Sequence, residues 1–175
     1  MIKITLPDGS LKEFDKGSTP MDVAKSISEG LARNMISAKF NDTVVESTTP
    51  LNTDGSLTLF TWNNDEGKQA FWHSSAHVIA QALEELYPNI KLTIGPAIEN
   101  GFYYDVDLPD GSISEKDFPA IEKKALEIAR GKHDFKMRSV TKAEALELYK
   151  SQGNEYNTEL IDNLDDGTMT CCDHD

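Results

Sequence analysis

His73 and His77 are the two residues of this sequence whose type and spacing most directly indicate chemistry. The apolar residues around them recur at spacings of three and four, which predicts an amphipathic helix. Four positions apart on a helix, the two imidazoles share one face beside the apolar stripe. One helix would therefore offer a buried flank and a flank with paired imidazoles, which is how the wall of a pocket would be built. The competing interpretation is a pair of partly buried polar side chains without a chemical role.

The histidine pair forms only part of a site. The metalloprotease pattern requires a glutamate directly after the first histidine, and Ser74 occupies that position here. Glu84 shares the face of the pair, but it lies about 10 Å further along the helix axis than His77. We therefore expect the remaining groups of the site to come from other elements.

The chain has 175 residues, of which 38% are hydrophobic and 27% charged, as in one ordinary domain or two small ones. No apolar run approaches the length of a membrane span, and residues 1–7 lack the pattern of a signal peptide. The two cysteines, Cys171 and Cys172, are adjacent, which argues against a disulfide framework. We therefore expect a cytoplasmic protein without membrane contact.

The net charge of −13 limits the possible partners. A nucleic-acid-binding domain usually presents a basic face, whereas here 30 acidic residues oppose 17 basic ones. If RNA is a substrate, we expect this chain alone to bind it weakly, with phosphate contacts supplied by another part of a larger protein. The simpler alternative is that the protein binds no nucleic acid.

Residues 1–62 carry the pattern of a small α+β domain. Thr19 and Pro20 have the properties of an N-cap and a first helical residue, and Gly30 is the expected end of that helix. The predicted strands are β-rich segments between turn residues and cover residues 2–6, 11–14, 36–40, 44–45 and 57–60. This order fits a β-grasp, ubiquitin-like domain, and a generic small α+β domain is the alternative.

A polar segment at 61–69 marks the expected boundary, after which residues 63–175 are predicted to form a second, mixed α+β domain. Its first helix carries the histidine pair, follows that segment and stops before Pro88. A hairpin is expected next, with strands at 91–98 and 102–106 around a tight turn at Asn100 and Gly101.

Three further elements are predicted in this second domain. Ser114 opens a helix that runs to Gly131, and residues 135–140 form a strand. Thr141 and Glu144 are spaced as a capping box for a third helix that ends near Gly153.

The terminal segment 162–175 is acidic and contains Cys171, Cys172 and His174. Together with the histidine pair, these residues have the types of a tetrahedral zinc site. Cysteines and a histidine near a chain end are more often incidental, so we expect no metal ligands. The absence of a predicted closing element suggests a truncated domain.

Four sequence segments resemble known domains. Residues 4–10 (Ile-Thr-Leu-Pro-Asp-Gly-Ser) and 20–24 (Pro-Met-Asp-Val-Ala) resemble the TGS domain at the front of the threonyl-tRNA synthetase family. Residues 73–77 (His-Ser-Ser-Ala-His) resemble the HxxxH motif of the editing domain that follows it. Residues 94–96 and 100–107 (Ile-Gly-Pro, then Asn-Gly-Phe-Tyr-Tyr-Asp-Val-Asp) are similar to the same domain. The HxxxH motif alone is a weak signal, and the Gly-Phe-Tyr-Tyr-Asp motif is shared with alanyl-type editing domains, but the TGS module in front of both points to the threonyl family.

The resemblance implies hydrolysis of serine that has been wrongly attached to threonine tRNA. A missing methyl is worth only ~1–3 kcal/mol of discrimination, so a second site that hydrolyses the smaller product is the physical remedy. In that chemistry His73 and His77 position the attacking water or act as acid and base. Gly95, Tyr104 and Asp105 are the expected substrate-binding residues, for the terminal adenosine or the amino group. Gly95 would allow a close approach of the backbone. The structural alternatives are that Tyr104 is a core aromatic and that Asp105 only caps the backbone.

The resemblance covers the whole chain but only the N-terminal part of that enzyme, without the aminoacylating core and the anticodon-binding domain. It implies no cofactor in this fragment, because ATP and zinc belong to the absent core. The implied partner is the acceptor end of tRNA(Thr). We expect a monomeric fragment and a homodimeric full enzyme.

The sequence departs from the family pattern in two places. A Cys-Arg-Gly-Pro-His type motif is missing, and the spacing of Cys171, Cys172 and His174 differs from it. Bacterial members often carry a lysine after the tyrosine where this chain has Tyr156 followed by Asn157. Two alternatives to hydrolytic editing remain: a non-catalytic TGS-type module that binds RNA or a ligand, and a zinc-dependent hydrolase of the alanyl-editing type.

Overall fold

A computed structural model describes residues 1–93, 95–109, 111–131, 135–151, 153–164 and 167–174, with the backbone alone at 135–139 and 168–174. The chain divides into two compact units, Met1–Trp72 and His73–Asp175. The boundary between residues 62 and 63 that the sequence suggests stays a prediction. Within the described part of the chain, no helix is both long and apolar enough to cross a membrane.

The first unit contains a five-stranded mixed sheet and two short helices. Its strands are β1 (Ile2–Thr5), β2 (Leu11–Phe14), β3 (Met35–Phe40), β4 (Thr43–Val45) and β5 (Gly55–Thr61), and its helices are α1 (Pro20–Ile27) and α2 (Glu29–Asn34). The strand order is β2-β1-β5-β3-β4. Only the central pair is parallel, with Ile4 opposite Gly55, and the other pairs are antiparallel. This arrangement confirms the predicted α+β class and is β-grasp-like.

The start of α1 follows the predicted capping chemistry. Thr19 accepts a hydrogen bond from the Asp22 N–H, and the Asp22 carboxylate accepts one from the Thr19 N–H at 2.9 Å. These hydrogen bonds lower the pKa of the Asp22 carboxyl. The predicted helix end at Gly30 was wrong, because Ser28 ends α1 in extended backbone and caps α2, in which Gly30 lies.

The core of the first unit lies between its sheet and its helices. Seven residues are buried there: Ile2, Ile4, Leu6, Val23, Ala38, Leu51 and Leu57. The alternation of apolar and polar residues along β1 contributes to this core. Ile2 and Ile4 lie on the buried face of the strand, while Lys3 between them is exposed. Ser37 is buried on β3, and its hydroxyl has no hydrogen-bond partner among the described residues.

Helix α3 (Asp65–Leu86) carries the histidine pair. It confirms the predicted histidine helix, and it begins inside the polar segment that was expected to be a linker. Asp65 and Glu66 stand in its first turn, where carboxylates favour the helix dipole. Gly67 permits this early start, because a Cβ there would overlap the Thr61 carbonyl.

The second unit combines short two-stranded ladders with helices. Its further elements are β6 (Lys91–Leu92), β7 (Ala97–Ile98), β8 (Gly101–Phe102), β9 (Val106–Asp107), α4 (Phe118–Gly131), β10 (Phe135–Thr141), α5 (Lys142–Ser151), α6 (Glu155–Asp162) and β11 (Thr168–His174). The antiparallel pairs are β6 with β9, β7 with β8, and β10 with β11. The predicted hairpin is therefore split into two ladders, since Thr93 and Pro96 lie outside the strands.

Two elements of this unit were missed in the sequence. Helix α6 begins after Asn154, whose side chain accepts a hydrogen bond from the Asn157 N–H. Strand β11 pairs with β10 over its whole length, from Thr168 opposite Thr141 to His174 opposite Phe135. A strand in the terminal segment was not expected from the sequence, whereas the truncation of the domain stays a prediction.

Two apolar clusters hold the second unit together. The larger one is centred on Ala80 and Leu83 of α3, Leu92 of β6 and Ile121 of α4. The smaller one is centred on Val140, Ala145 and Ile161. Thr141 and Glu144 form the predicted capping box at the start of α5, with hydrogen bonds of 2.7 to 3.3 Å.

Candidate functional site

The imidazoles of His73 and His77 contact each other directly. Their Nε2 atoms lie 3.1 Å apart, and the ring planes are nearly perpendicular at 89°. One Nε2 must donate this hydrogen bond and the other must accept it, because two protonated nitrogens cannot bond to each other. The geometry thus allows one proton to be shared in a hydrogen bond between the two rings.

The position of this pair follows from the faces of α3. Ala76 and Ala80 are buried, while His73 is exposed and His77 is half-buried. The two imidazoles therefore border the buried stripe, as the spacing predicts. A solvent-accessible imidazole next to a half-buried one can exchange protons with water while its partner keeps a fixed orientation.

Gly95 and Tyr104 lie against each other. A Cβ on Gly95 would overlap the Cδ2 and Cε2 atoms of the Tyr104 ring, so only glycine permits this approach. Tyr104 is half-buried and packs against the larger apolar cluster of the unit. That cluster includes Ala80 and Leu83, so Tyr104 stands beside the part of α3 that follows the histidines.

The backbone of Asp105 has a defined partner. Its carbonyl oxygen accepts hydrogen bonds from the N–H of Thr93 at 3.1 Å and from the Thr93 hydroxyl at 2.7 Å. Asp105 itself is exposed. These two bonds continue the β6–β9 ladder. They bring Thr93, which lies two residues before Gly95, next to Asp105, which directly follows Tyr104.

Two side chains near Tyr104 influence its ionisation. Burial raises the pKa of Tyr104, and the negative charge of Glu84 and the neighbouring Tyr149 raise it further. The Glu84 side chain is exposed overall, but the protein around its carboxyl displaces part of the water there. This desolvation raises the pKa of Glu84 as well. Sequence reasoning placed Glu84 on the histidine face but did not connect it with Tyr104.

Helix α6 contacts the β6–β9 ladder through polar groups. The side-chain amides of Asn154 and Asn157 both donate to the carbonyl of Leu92, at 3.0 and 3.4 Å. The Tyr156 hydroxyl donates to the Asp107 carboxylate at 3.0 Å, which raises the pKa of the tyrosine. The only sequence signal for these contacts was the spacing of Asn154 and Asn157. An asparagine is a common N-cap of a helix, and it accepts a hydrogen bond from the N–H three residues later.

An open groove of about 500 Å³ runs along α6. Its lining residues are Lys150, Gly153, Asn154, Glu155, Thr158, Glu159 and Asp162. None of the residues predicted for the site from the sequence belongs to this lining, so the groove and the histidine pair are separate features.

The described residues contain no group of three or more histidine, cysteine or acidic side chains arranged to hold a metal ion. The side chains of Cys171, Cys172 and His174 lie outside the described part of the structure, although their backbone belongs to β11. The expectation that no metal is bound stays a prediction.

Comparison with known proteins identifies the first unit by class. Residues 2–61 match the TGS domain family, and this stretch coincides with the five-stranded sheet and its two helices. Residues 2–61 are therefore a TGS domain.

The whole chain resembles threonine–tRNA ligases. It is 71% identical over 174 residues to the threonine–tRNA ligase of Flavobacterium johnsoniae and 68% identical over 174 residues to that of Flavobacterium psychrophilum. It is 52% identical over 170 residues to that of Parabacteroides distasonis. These matches cover 97 to 99% of this chain and 26% of each relative. The chain corresponds to the N-terminal region of such a ligase and spans about a quarter of its length.

Proposed function

We propose that this chain is the proofreading part of a threonine–tRNA ligase and hydrolyses serine from mischarged tRNA(Thr). The observation that carries the proposal is the 3.1 Å contact between the two Nε2 atoms of His73 and His77. An imidazole pair with one shared proton can orient a water, accept its proton and pass a proton to the leaving ribose oxygen. The similarity to threonine–tRNA ligases supports the choice of substrate.

In this proposal the exposed His73 exchanges protons with solvent, and the half-buried His77 keeps the geometry of the pair. Gly95, Tyr104 and Asp105 are the proposed substrate-binding residues, for the terminal adenosine and the aminoacyl group. The close packing of the Tyr104 ring on Gly95 supports a preformed wall there, because no side chain separates the ring from the backbone. The partner is the acceptor end of tRNA, and the proposed place of action is the cytoplasm.

A charge of −13 makes this chain by itself a weak ligand for tRNA, because counterion release upon phosphate contact is the main source of such affinity. The assay is therefore deacylation of seryl-tRNA(Thr) against threonyl-tRNA(Thr) at low salt and high protein concentration. A version extended toward the length of the ligases is tested in parallel, since the chain spans 26% of them.

We expect serine-selective hydrolysis that falls by about 10²- to 10⁴-fold in His73→Ala and in His77→Ala. The matched control is Gln69→Ala, an exposed polar residue one turn earlier on the same helix, which should retain activity. Equal hydrolysis of both esters, or full activity in the histidine variants, would contradict the proposal.

A non-catalytic TGS module is the second candidate, and the family match at residues 2–61 favours it. It requires tRNA or nucleotide binding without turnover in either version of the protein. A zinc-dependent hydrolase is the third candidate, and it requires stoichiometric zinc after purification without added metal. Turnover in zinc-free protein would reject it.

A further inference from the structure

Contacts at Leu92, Thr93 and Gly95 hold the segment that leads from β6 to Gly95. The carbonyl of Leu92 accepts the two asparagine amides of α6, and Thr93 donates twice to the Asp105 carbonyl. Gly95 itself packs on the Tyr104 ring. The donors to Leu92 come from α6 and the residue that caps it, whereas the partners of Thr93 and Gly95 are Asp105 and Tyr104, just before β9. Helix α6 can therefore restrain this segment independently of the β6–β9 ladder.

Asn154 performs two tasks with one side chain. Its Oδ1 accepts a hydrogen bond from the Asn157 N–H at 3.0 Å and caps α6, while its Nδ2 donates to the Leu92 carbonyl. An aspartate could cap the helix equally well but has no N–H with which to donate to Leu92 at neutral pH. The N–H donor is therefore what distinguishes asparagine from aspartate at this position.

Asn157 supplies the second donor to the same carbonyl, at 3.4 Å. Its position is the one where the family resemblance leads us to expect a lysine. In this chain the side chain is half-buried and its amide is directed at the strand backbone, so it has a structural partner of its own. A carbonyl has two lone pairs, so both amides can be accommodated.

We infer that Asn157, together with Asn154, is a positioning residue of the proposed editing site, which fixes Thr93 and Gly95 for substrate binding through the Leu92 carbonyl. This inference rests on the proposed function. Neither asparagine touches the reacting atoms in this role. Loss of either donor leaves the chemistry of the histidine pair intact and loosens the wall formed by Gly95 and Tyr104.

Asn157→Asp and Asn154→Asp test the inference without disturbing the helix. Each replaces the donor by a carboxylate of the same shape, which cannot donate to Leu92 at neutral pH. Both carboxylates stand at the positive end of α6, where negative charge favours the helix. The control Asn63→Asp makes the same change on an exposed residue of the first unit.

Two quantities are measured in the 175-residue chain. The first is hydrogen exchange of the Thr93 amide, which is bonded to the Asp105 carbonyl. The second is the dissociation constant of 3′-serylamino-3′-deoxyadenosine, an amide-linked analogue that is not hydrolysed as an ester is. One lost hydrogen bond corresponds to about a fivefold change. We expect about fivefold faster exchange and about fivefold weaker binding in both variants, and no change in the control.

Each other outcome overturns the inference. If exchange and binding stay at wild-type values, the asparagines do not anchor the segment. If exchange of the Thr93 amide accelerates but the analogue binds equally well, the asparagines hold the segment but do not contribute to substrate binding. If the wild-type chain does not bind the analogue at all, the substrate assignment of the proposed function has failed, and the positioning role fails with it.

Discussion

Gly95 and Tyr104 are packed so closely that no side chain fits between them. The ring fills the space in which a Cβ of residue 95 would lie, with Tyr104 Cγ 3.0 Å from that point. Two of the residues expected from the sequence to bind substrate are therefore, first of all, partners of each other. Their roles in substrate binding and in packing are coupled, and a change in one is transmitted to the other.

Gly95→Ala should destabilise the protein by about 1–3 kcal/mol, because the added methyl forces the Tyr104 ring or the strand segment to move. Urea unfolding measures the free energy, and NMR follows the Tyr104 ring signals. Gly111→Ala is the control, since a Cβ there would meet only Leu108 Cδ2 at 3.9 Å. Equal stability of both variants would contradict the packing described here.

Glu84→Gln should make the protein more stable at neutral pH. A raised carboxyl pKa means that stability is fully present below the unfolded value near 4.5 and is lost as the pH rises through the folded value. The amide of the variant does not ionise and therefore avoids this loss. The free energies of unfolding of the wild-type protein and the variant should be similar in acid and differ at pH 7. Unfolding at both pH values provides the measurement.

The same variant should lower the pKa of Tyr104 without restoring its usual value, because burial remains the main cause of the shift. Glu85→Gln is the control. It removes the partner of Lys124 at 3.2 Å and should neither stabilise the protein nor affect Tyr104. An unchanged Tyr104 titration in Glu84→Gln would show that the two groups do not interact.

The imidazole pair should show two different tautomers in ¹⁵N NMR at neutral pH. A 3.1 Å contact between two Nε2 atoms requires one ring protonated at Nε2 and the other bearing a free Nε2 acceptor. In His73→Ala the remaining His77 should lose this constraint and its ¹⁵N pattern should change. Identical patterns for both rings in the wild-type protein would contradict the hydrogen bond.

Ser37→Ala should leave the free energy of unfolding unchanged or raise it by about 1 kcal/mol. The Ser37 hydroxyl is buried without a partner among the described residues, so its removal ends a desolvation cost. Thr19→Ala provides the contrast, because that hydroxyl caps α1 and its loss should cost about 1 kcal/mol. Comparable losses in both variants would indicate that Ser37 has a partner after all.

Local patterns in the sequence were sufficient for most of the fold. The capping boxes at Thr19 and Thr141, the alternation of β1 and the histidine spacing each depend on residues a few positions apart. Helix α6 was missed because its one local signal is the Asn154 cap, and strand β11 was missed because nothing local marks it. Helix α6 is held by Leu92 and Asp107, and β11 pairs with residues that lie 27 (Thr168 with Thr141) to 39 (His174 with Phe135) positions earlier.

The candidate site divides in the same way. The contact between His73 and His77 follows from helical periodicity, which is a local rule. The approach of Gly95 to Tyr104, the charge of Glu84 beside that ring and the asparagine donors on Leu92 are all long-range. No pattern within a short window could have indicated them.

The sheet order of the TGS domain has a consequence for how that domain is assembled. Its central strand, β5, is the last one to leave the ribosome, and it separates the β1–β2 hairpin from the β3–β4 hairpin. Until residues 55–61 arrive, the two hairpins have no edge to share, and each alone is marginal in water. Closing this gap requires contacts across about fifty residues, which slows the search for the native pairing. The domain should therefore fold in one late step, and nascent chains that end before β5 are those that chaperones must protect.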